Sequence, residues 1–478
     1  MIQETPRALG WAQSYFAATG YDAVDQNGKR RTVSSVLKSE DDHLRPNNAR
    51  QVVAQSRDLS RNFALVGWVI RQHLNYLTEF NFQCRTGIDA FDAQVESLMS
   101  VWSRPANCEA TGRHEFAKLI RMVEKAKVTD GDVFLLKLSE GVLQPIEYDR
   151  VRNPSKMEDP TQWVNGVRIN KAGRPVEFAI HKRINGGQFQ HEKNVSAASM
   201  LHYAHFERFD QVRGISPLVA AINSFKDVYE AIDLALAKLK VEQLFALAIT
   251  RDATEATGDT TGNESDGYEV DFKKGPIKLE MDPGDKAEFL KSDNPGAATQ
   301  DFIKLVIRLA LTSLDLPYGL FDTGDTNFFG GKAGFMVYER SLISKIRDLQ
   351  NLLRQVTVWK LRQWIISGEL TLPAGMTVGD IAFEWVHRGM PWWDASKEID
   401  GDLAAIGAGL SDPYTICKKR GMGEFEENVR NIKKARDFAA SMGVPITFDR
   451  AGNKPMPEPA KAVAETSEDD PEDMAGDA

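Results

Sequence analysis

Apolar positions change their spacing along this chain, and each change marks a new element. From Pro46, the stretch PNNARQVVAQSRDLSRNFALVGWVIRQHLNYL sets Val52, Leu59, Phe63, Val66, Ile70 and Leu77 at helical spacing and predicts one long helix over residues 46–77. Two more helices are expected over 90–102 and 115–126, parted by Arg104-Pro105-Ala106-Asn107. The period then shortens towards two. DVFLLKL (132–138) and VLQPIEY (142–148), around Ser139-Glu140-Gly141, read as a hairpin. Residues 163–169 and 175–181 read as a second hairpin, and MLHYAHF (200–206) as a further strand. Helical spacing returns at 218–249, with Ser216 as N-cap and Pro217 in the first turn, and this alanine- and leucine-rich helix is expected to be core. Residues 252–268 are acidic and glycine-rich, which predicts an exposed or disordered loop. Short strands at 277–279 and 287–290 flank Met281-Asp282-Pro283-Gly284-Asp285.

The next stretch organises the rest. Residues 301–314 (DFIKLVIRLALTSL) predict a two-faced helix, with Phe302, Leu305, Val306 and Leu309 on one side and Asp301, Lys304, Arg308, Thr312 and Asp315 on the other. Pro317 and Gly319 end it, because proline disfavours helix for the residue before it. Residues 322–334 (DTGDTNFFGGKAG) carry four glycines around Phe328-Phe329 and read as a loop with no regular element. Residues 335–366 then run without glycine or proline, which as one helix spans roughly 48 Å. Arg340, Arg347 and Arg354 fall seven apart on one stripe of it; such a stripe by itself reads as a solvated helix face, against which stands the oddity, in a monomer, of a helix pair with an exposed apolar-tipped loop. A strand at 381–386 follows. Trp392-Trp393, in a Gly/Pro loop, read as buried anchors or as an exposed aromatic platform, and burial is the reading adopted. Helices are expected over 395–408, 413–420 and 424–441, and a disordered tail beyond 447. The pattern is α+β: mainly helical, with small β-sheets.

Charge sharpens this picture. The net charge is −9, but the tail from Glu458 holds eight acidic residues against Lys461, which leaves −2 for residues 1–457. A protein that grips DNA permanently needs a strong basic excess, since affinity comes from neutralised phosphates. Residues 1–45 form a polar arm around Asn27-Gly28-Lys29-Arg30-Arg31. The three cysteines, Cys84, Cys108 and Cys417, form no CxxC and suggest neither a disulfide framework nor a metal cluster. No export signal and no membrane span are expected.

Candidate chemistry is sparse. Gly330-Gly331-Lys332 is not a phosphate loop: Thr326 stands where its first glycine belongs, and Ala333 replaces the magnesium-binding hydroxyl. His202 and His205, three apart in a strand, point to opposite faces and do not suggest a metal site. No enzymatic activity, metal or cofactor is expected.

Several stretches resemble one family, the lambda-like portal proteins of tailed bacteriophages. Ser56-Arg57-Asp58-Leu59-Ser60-Arg61-Asn62 is similar to that family's arginine-rich helix. Gly166-Val167-Arg168-Ile169-Asn170 with Gly173-Arg174, and His202 with Asp210-Gln211-Val212-Arg213-Gly214-Ile215-Ser216, are similar to its hairpin and its Gln-x-Arg-Gly segment. Asp282-Pro283-Gly284-Asp285 and Leu314-Asp315-Leu316-Pro317-Tyr318 are similar to the turn before its helix pair and the end of the first helix. The resemblance runs from about residue 46 to 446.

It implies a ring, typically of twelve subunits, at one vertex of the viral head, through which double-stranded DNA enters and later leaves without being read for sequence. Residues 46–300, with the strand at 381–386, would form the wing, 301–315 and 335–366 the stem helices, 316–334 the clip, 367–394 the wing return and tunnel loop, and 395–446 the crown. Channel candidates are Arg340, Lys345, Arg347, Arg354, Arg388, Trp392 and Trp393. Clip and docking candidates are Tyr318, Phe321, Phe328, Phe329 and Lys332. Implied partners are further copies of the chain, the large terminase subunit, the major capsid or scaffold protein and a head-completion or tail adaptor protein. The implied location is the virion, after assembly in the bacterial cytoplasm. The alternatives are a packaging-linked nuclease or ATPase and a virion scaffold without a channel.

Overall fold

The structure, a computed structural model, describes residues 37–44, 46–157, 159–244, 247–251, 285–289, 296–390 and 393–444. The basic cluster of residues 27–31, the loop 252–268, the strand at 277–279, Trp392 and the acidic tail lie outside them. The described residues divide into two compact units between Trp393 and Asp394.

In the first unit, the long helix expected from Pro46 is two: α1 (Pro46–Asn62) and α2 (Ala64–Leu77). Phe63 between them is extended. The break lets two different faces reach the core, the sparse apolar row of α1 (Val53, Leu59) and the dense one of α2 (Val66, Val69, Ile70, Leu74, Leu77). After β1 (Phe80–Cys84) come α3 (Asp89–Trp102) and α4 (Phe116–Asp130), which match the expected helices closely.

Strand β2 (Asp132–Lys137) is central in a three-stranded antiparallel sheet, between β3 (Leu143–Glu147) and β8 (Met200–Ala204). Both its faces are covered, which explains its unbroken apolar run. Val133 and Leu135 enter the main helical core, and Phe134 and Leu136 enter a second core with Ile146, Val167, Phe178 and Ile180. That second core lies against a four-stranded sheet of β4 (Trp163–Val164), β5 (Val167–Ile169), β6 (Pro175–Arg183) and β7 (Phe189–Ser196). The predicted second hairpin is therefore three strands, since Asn165-Gly166 turns the chain within residues 163–169. Strand β7 was not foreseen, because FQHEKNVS is mostly exposed and has no apolar row to declare it.

Ser216 caps as expected: its side chain accepts from Leu218 N and donates to the Val128 carbonyl, 2.6 Å away. The helix it opens, α5 (Ile222–Leu244), corrects two expectations. It ends at Leu244, and Leu247–Arg251 is instead a strand, β9, paired with β10 (Asp285–Phe289). Among its described side chains the core ones lie at its start: Ile222, Phe225 and Val228 are buried, whereas Tyr229, Leu234 and Leu236 are at least half exposed. Next come α6 (Ala297–Leu311) and α7 (Phe328–Ser367). Strand β11 (Phe383–His387) pairs antiparallel with β1 and so ties the chain beyond α7 back to its start.

The second unit holds α8 (Ala395–Gly407), α9 (Pro413–Arg420) and α10 (Phe425–Ser441), close to the predicted helices. Arg420 joins α9 to α8 through Glu398 (2.7 Å) and Asp402 (2.9 Å). Val429, Ile432 and Phe438 on α10 are exposed.

Candidate functional site

The hairpin of α6 and α7 carries almost every candidate residue. Helix α6 continues through a single 3-10 turn to Leu314, and Asp315 then takes a left-handed conformation (φ 62°) that releases the chain into the connecting segment. That segment is shorter than predicted. Helix α7 begins at Phe328, so Gly330, Gly331 and Gly334 are helical. Asn327 supplies the cap that offsets their poor propensity, its Oδ1 accepting from Gly330 N at 2.7 Å. The glycines also leave room: a Cβ on Gly331 would sit 3.0 Å from the Trp393 ring, and one on Gly334 would sit 3.2 Å from Pro317. With 40 residues, α7 is about 60 Å long.

Ion pairs brace the hairpin across its tip. Asp325 in the connection meets Arg308 and Lys304 of α6, and the Arg308 guanidinium lies 4.8 Å from the centroid of the Tyr318 ring. Lys345 on α7 pairs with Asp315 at 2.7 Å and donates to the Leu314 carbonyl. Its charge is thus engaged in holding the two helices together.

The faces of α6 are also not those predicted. Ile307, Ala310, Leu311 and Leu314 are buried, while Phe302 (62% exposed), Leu305 (51%) and Leu309 (59%) form a row facing solvent. The apolar row read from the sequence thus faces solvent except at the half-buried Val306, and α6 carries a second, buried apolar row as well. On α7 the buried row is Tyr338, Leu342, Leu349, Leu353, Val356 and Trp364, and a separate exposed row holds Arg340, Arg347 and Arg354 with Val337 and Ile343. Among the described residues no ion pair engages Arg340 or Arg347; Arg354 reaches over the Phe383 ring at 5.6 Å.

The other candidates scatter. Arg388 lies beyond β11, exposed, paired with Glu79 at 3.1 Å. Trp393 is half-buried beside Phe328 and Phe335, with ring centroids 5.8 Å away in each case, as an anchor rather than a platform. Of the tip residues, Phe329 is 79% exposed and Phe328 half exposed, whereas Phe321 packs edge-on against Trp68 (5.3 Å), and Tyr318 and Lys332 are half-buried.

Two buried polar clusters lie in the α+β body, and sequence reasoning missed both as clusters. Arg213, almost fully buried, grips Asp132 through two bonds (2.6 and 3.0 Å) and donates to the carbonyls of Tyr148, Val151 and Asn165. Burial pushes the Asp132 carboxyl up, but Arg213 and His202 outweigh it and hold it at about 2. His202 is thus a partner of Asp132 at 3.1 Å, and His205 lies beside Glu207. Beneath α7, Glu124 accepts from Tyr203 (2.6 Å) and meets Lys127 (3.0 Å) and His73 (3.3 Å). Burial opposes the Glu124 charge, yet Lys127 and the bonds from His73 and Tyr203 keep its carboxyl at about 2, while burial lowers His73. The Gln-x-Arg-Gly segment was the available signal for the first cluster. No spacing rule links Glu124, His73 and Tyr203.

This geometry describes a helix pair displayed on an α+β body, with an apolar row, a basic row and an aromatic tip all exposed. Comparison with known proteins supplies the lineage. The model of the family described as "Phage portal protein, lambda family" matches residues 27–334. A protein of Halomonas phage phiHAP-1 named "Probable portal protein" is 21% identical over 397 residues, covering 75% of this chain and 72% of its own. Two solved structures of gene transfer agent particles are similar at 14% identity. The virion of the native particle matches with a TM-score of 0.47 (83% of this chain, 94% of that one). The neck of the empty particle, computed with C6 symmetry, matches with 0.49 (82% and 94%). With well over half its length matched, this chain belongs to the lambda family of phage portal proteins.

Proposed function

We propose that copies of this chain close into a ring, typically of twelve, at one vertex of the phage head, with α6 and α7 as the stem that walls a channel for double-stranded DNA. The observation that carries this reading is the hairpin itself, which exposes one apolar and one basic row. A lone subunit has no use for Phe302, Leu305 and Leu309 in water, whereas a closed symmetric assembly covers the same patch on every copy. The three-arginine row offers phosphates a few cations at intervals along one helix. The near-neutral body adds no general basic surface, so DNA would be guided without being held by many contacts at once.

In this reading residues 46–300 and β11 form the wing, residues 316–334 the clip, and residues 395–446, with α8 to α10, the crown. Phe328 and Phe329 at the clip would dock the large terminase subunit during packaging and a head-completion or tail adaptor protein afterwards. The wing would face the major capsid or scaffold protein. Assembly in the host cytoplasm would precede incorporation into the virion. The mechanism is mechanical and electrostatic: the duplex passes without a covalent step and without base reading.

Electron microscopy of the purified full-length chain tests the ring. A closed annulus with a central hole is expected; particles that stay monomeric under every assembly condition, or open filaments, would end the proposal. For the channel, an Arg347→Glu/Arg354→Glu double variant is expected to form normal rings but to package or retain less DNA. Full-length packaged genomes from that variant would refute the assignment.

A further inference from the structure

A cleft of about 1020 Å³ opens in the α+β body, away from the hairpin, between one face of α1 and the start of β7. The side chains of Ala49, Arg50, Val53, Ala54 and Arg57 line one wall, at the spacings of a single helix face. Phe189, Gln190 and His191 line the other, and His181 of β6 also borders the cleft.

Its charge is one-sided. Among the lining residues Arg50, Arg57, Arg152 and Arg213 face a lone acid, Asp149. Asp149 is already taken by Arg57 (3.3 Å) and Arg183 (2.8 Å), and Arg213 is taken by Asp132. That leaves Arg50, exposed and in no ion pair among the described residues, and Arg152, whose Nε donates to the Asp149 carbonyl while its guanidinium lies 3.5 Å from the centroid of the Phe189 ring. Burial lowers the Arg152 affinity for its proton and the nearby Arg50 charge lowers it further, an effect the Asp149 carboxylate offsets only in part. His181 is 95% buried here, and its Nδ1 has no hydrogen-bond partner.

The backbone narrows the ligand class. Strand β7 is an edge of its sheet, paired with β6 alone, so one row of its N–H and C=O groups has no strand partner among the described residues. An extended peptide could add to such an edge by main-chain hydrogen bonds, with its side chains supplying selectivity. A nucleic-acid duplex gains little here, because its affinity scales with the number of phosphates neutralised and only two cations are uncommitted. A cleft at the upper end of the usual ~300–1,000 Å³ range also suits a short segment.

The geometry points to a docking site for an extended acidic peptide of a partner protein, seated in the cleft against β7 with its carboxylates on Arg50 and Arg152. The site is independent of the ring reading: it needs neither the channel nor the hairpin. Fluorescence anisotropy with the purified full-length chain tests it, using a short fluorescein-labelled peptide of alternating glutamate and valine as probe. Saturable binding is expected, weakened at least about tenfold by Arg50→Glu and clearly by Arg152→Gln. A lysine–valine peptide should not bind. Arg50 is exposed, so Arg50→Glu keeps the fold, and its melting curve provides the check. The proposal is overturned if the acidic peptide fails to bind, if Arg50→Glu leaves its affinity unchanged, or if the basic peptide binds equally. Displacement of the probe by a DNA duplex at lower concentration than by unlabelled peptide would assign the cleft to nucleic acid instead and overturn it as well. Displacement by inorganic phosphate at concentrations comparable to the peptide would reduce it to a small-anion site.

Discussion

If the outward row of α6 is a subunit contact, charging it should abolish assembly while leaving the subunit folded. The perturbation is Phe302→Glu with Leu305→Glu and Leu309→Glu. Full burial of a leucine or phenylalanine side chain contributes about 1.5–3 kcal/mol. Between 51% and 62% of each of these remains exposed in the single subunit, so a neighbour recovers roughly that fraction of the value per residue. Three residues give about 3–5 kcal/mol per contact, or roughly a hundred- to several-thousand-fold in the concentration at which subunits associate. Burying three carboxylates against an apolar neighbour costs further, so the shift is a lower bound. The subunit itself should be little affected, since exposed substitutions change stability by only about 0.5 kcal/mol and glutamate forms helix nearly as well as leucine. Analytical ultracentrifugation across a concentration series, with circular dichroism on the same samples, reads both quantities. Rings forming at the wild-type concentration would refute the reasoning. So would loss of the helical signal, which would mean that the row is packed within the subunit.

Other consequences concern the body. Replacing Asp132 by alanine leaves Arg213 buried without its anion and should cost about 3–5 kcal/mol in denaturant unfolding, while changing both to apolar residues should recover part of that. Because the Asp132 carboxyl is held at about 2 against an ordinary value of 3.8, its contribution is fully present above about pH 4 and is lost as pH falls towards 2; acid titration of the Asp132→Ala variant should lack that part of the transition. Gly214→Ala should prevent folding of the body, since its Cβ would lie 2.1 Å from the Gly131 carbonyl oxygen, whereas Gly401→Ala, in open space on α8, should raise the thermal midpoint by the equivalent of up to about 1 kcal/mol.

Local rules worked wherever local forces decide the structure. Ser216 before Pro217 capped as read, and α9 spans Pro413–Arg420, the range its proline and following glycine delimit. They failed where a neighbour overrides them. Glycines 330, 331 and 334 look like loop residues by propensity, yet the approach of Trp393 and Pro317 gives those missing side chains a use inside a helix. Phe63 looks like one more apolar residue of a single helix, and only the differing core faces of α1 and α2 require the chain to bend there. Of the candidate site, the spacing of Arg340, Arg347 and Arg354 was legible because one helix face depends on spacing alone. The commitment of Lys345 to Asp315 was not, because it depends on a partner thirty positions away across the hairpin.

The two apolar rows of α6 limit what an amphipathic pattern alone can say. Assigning a helix's apolar stripe to the core presumes that the subunit core is the sole apolar surroundings on offer. In α6 two stripes compete: Ile307, Ala310, Leu311 and Leu314 satisfy the subunit, and Phe302, Leu305 and Leu309 are left over. A sequence selected only to fold alone would carry polar residues at those three positions, as the exposed face of α1 does with Asn47, Asn48, Arg50 and Gln51. Their retention, beside the partly exposed Lys345–Asp315 brace that ties the two helices of the hairpin together, is what a surface meant for a neighbouring copy requires. It follows that weakening the brace should impair assembly even though neither residue belongs to the apolar row. Lys345→Met, which keeps the stem of the side chain but frees Asp315, should raise the concentration needed for rings by several-fold with little change in subunit stability, since a partly exposed ion pair contributes about 0–1 kcal/mol. Equal assembly of the Lys345→Met and wild-type chains would show that the row is presented without help from the brace.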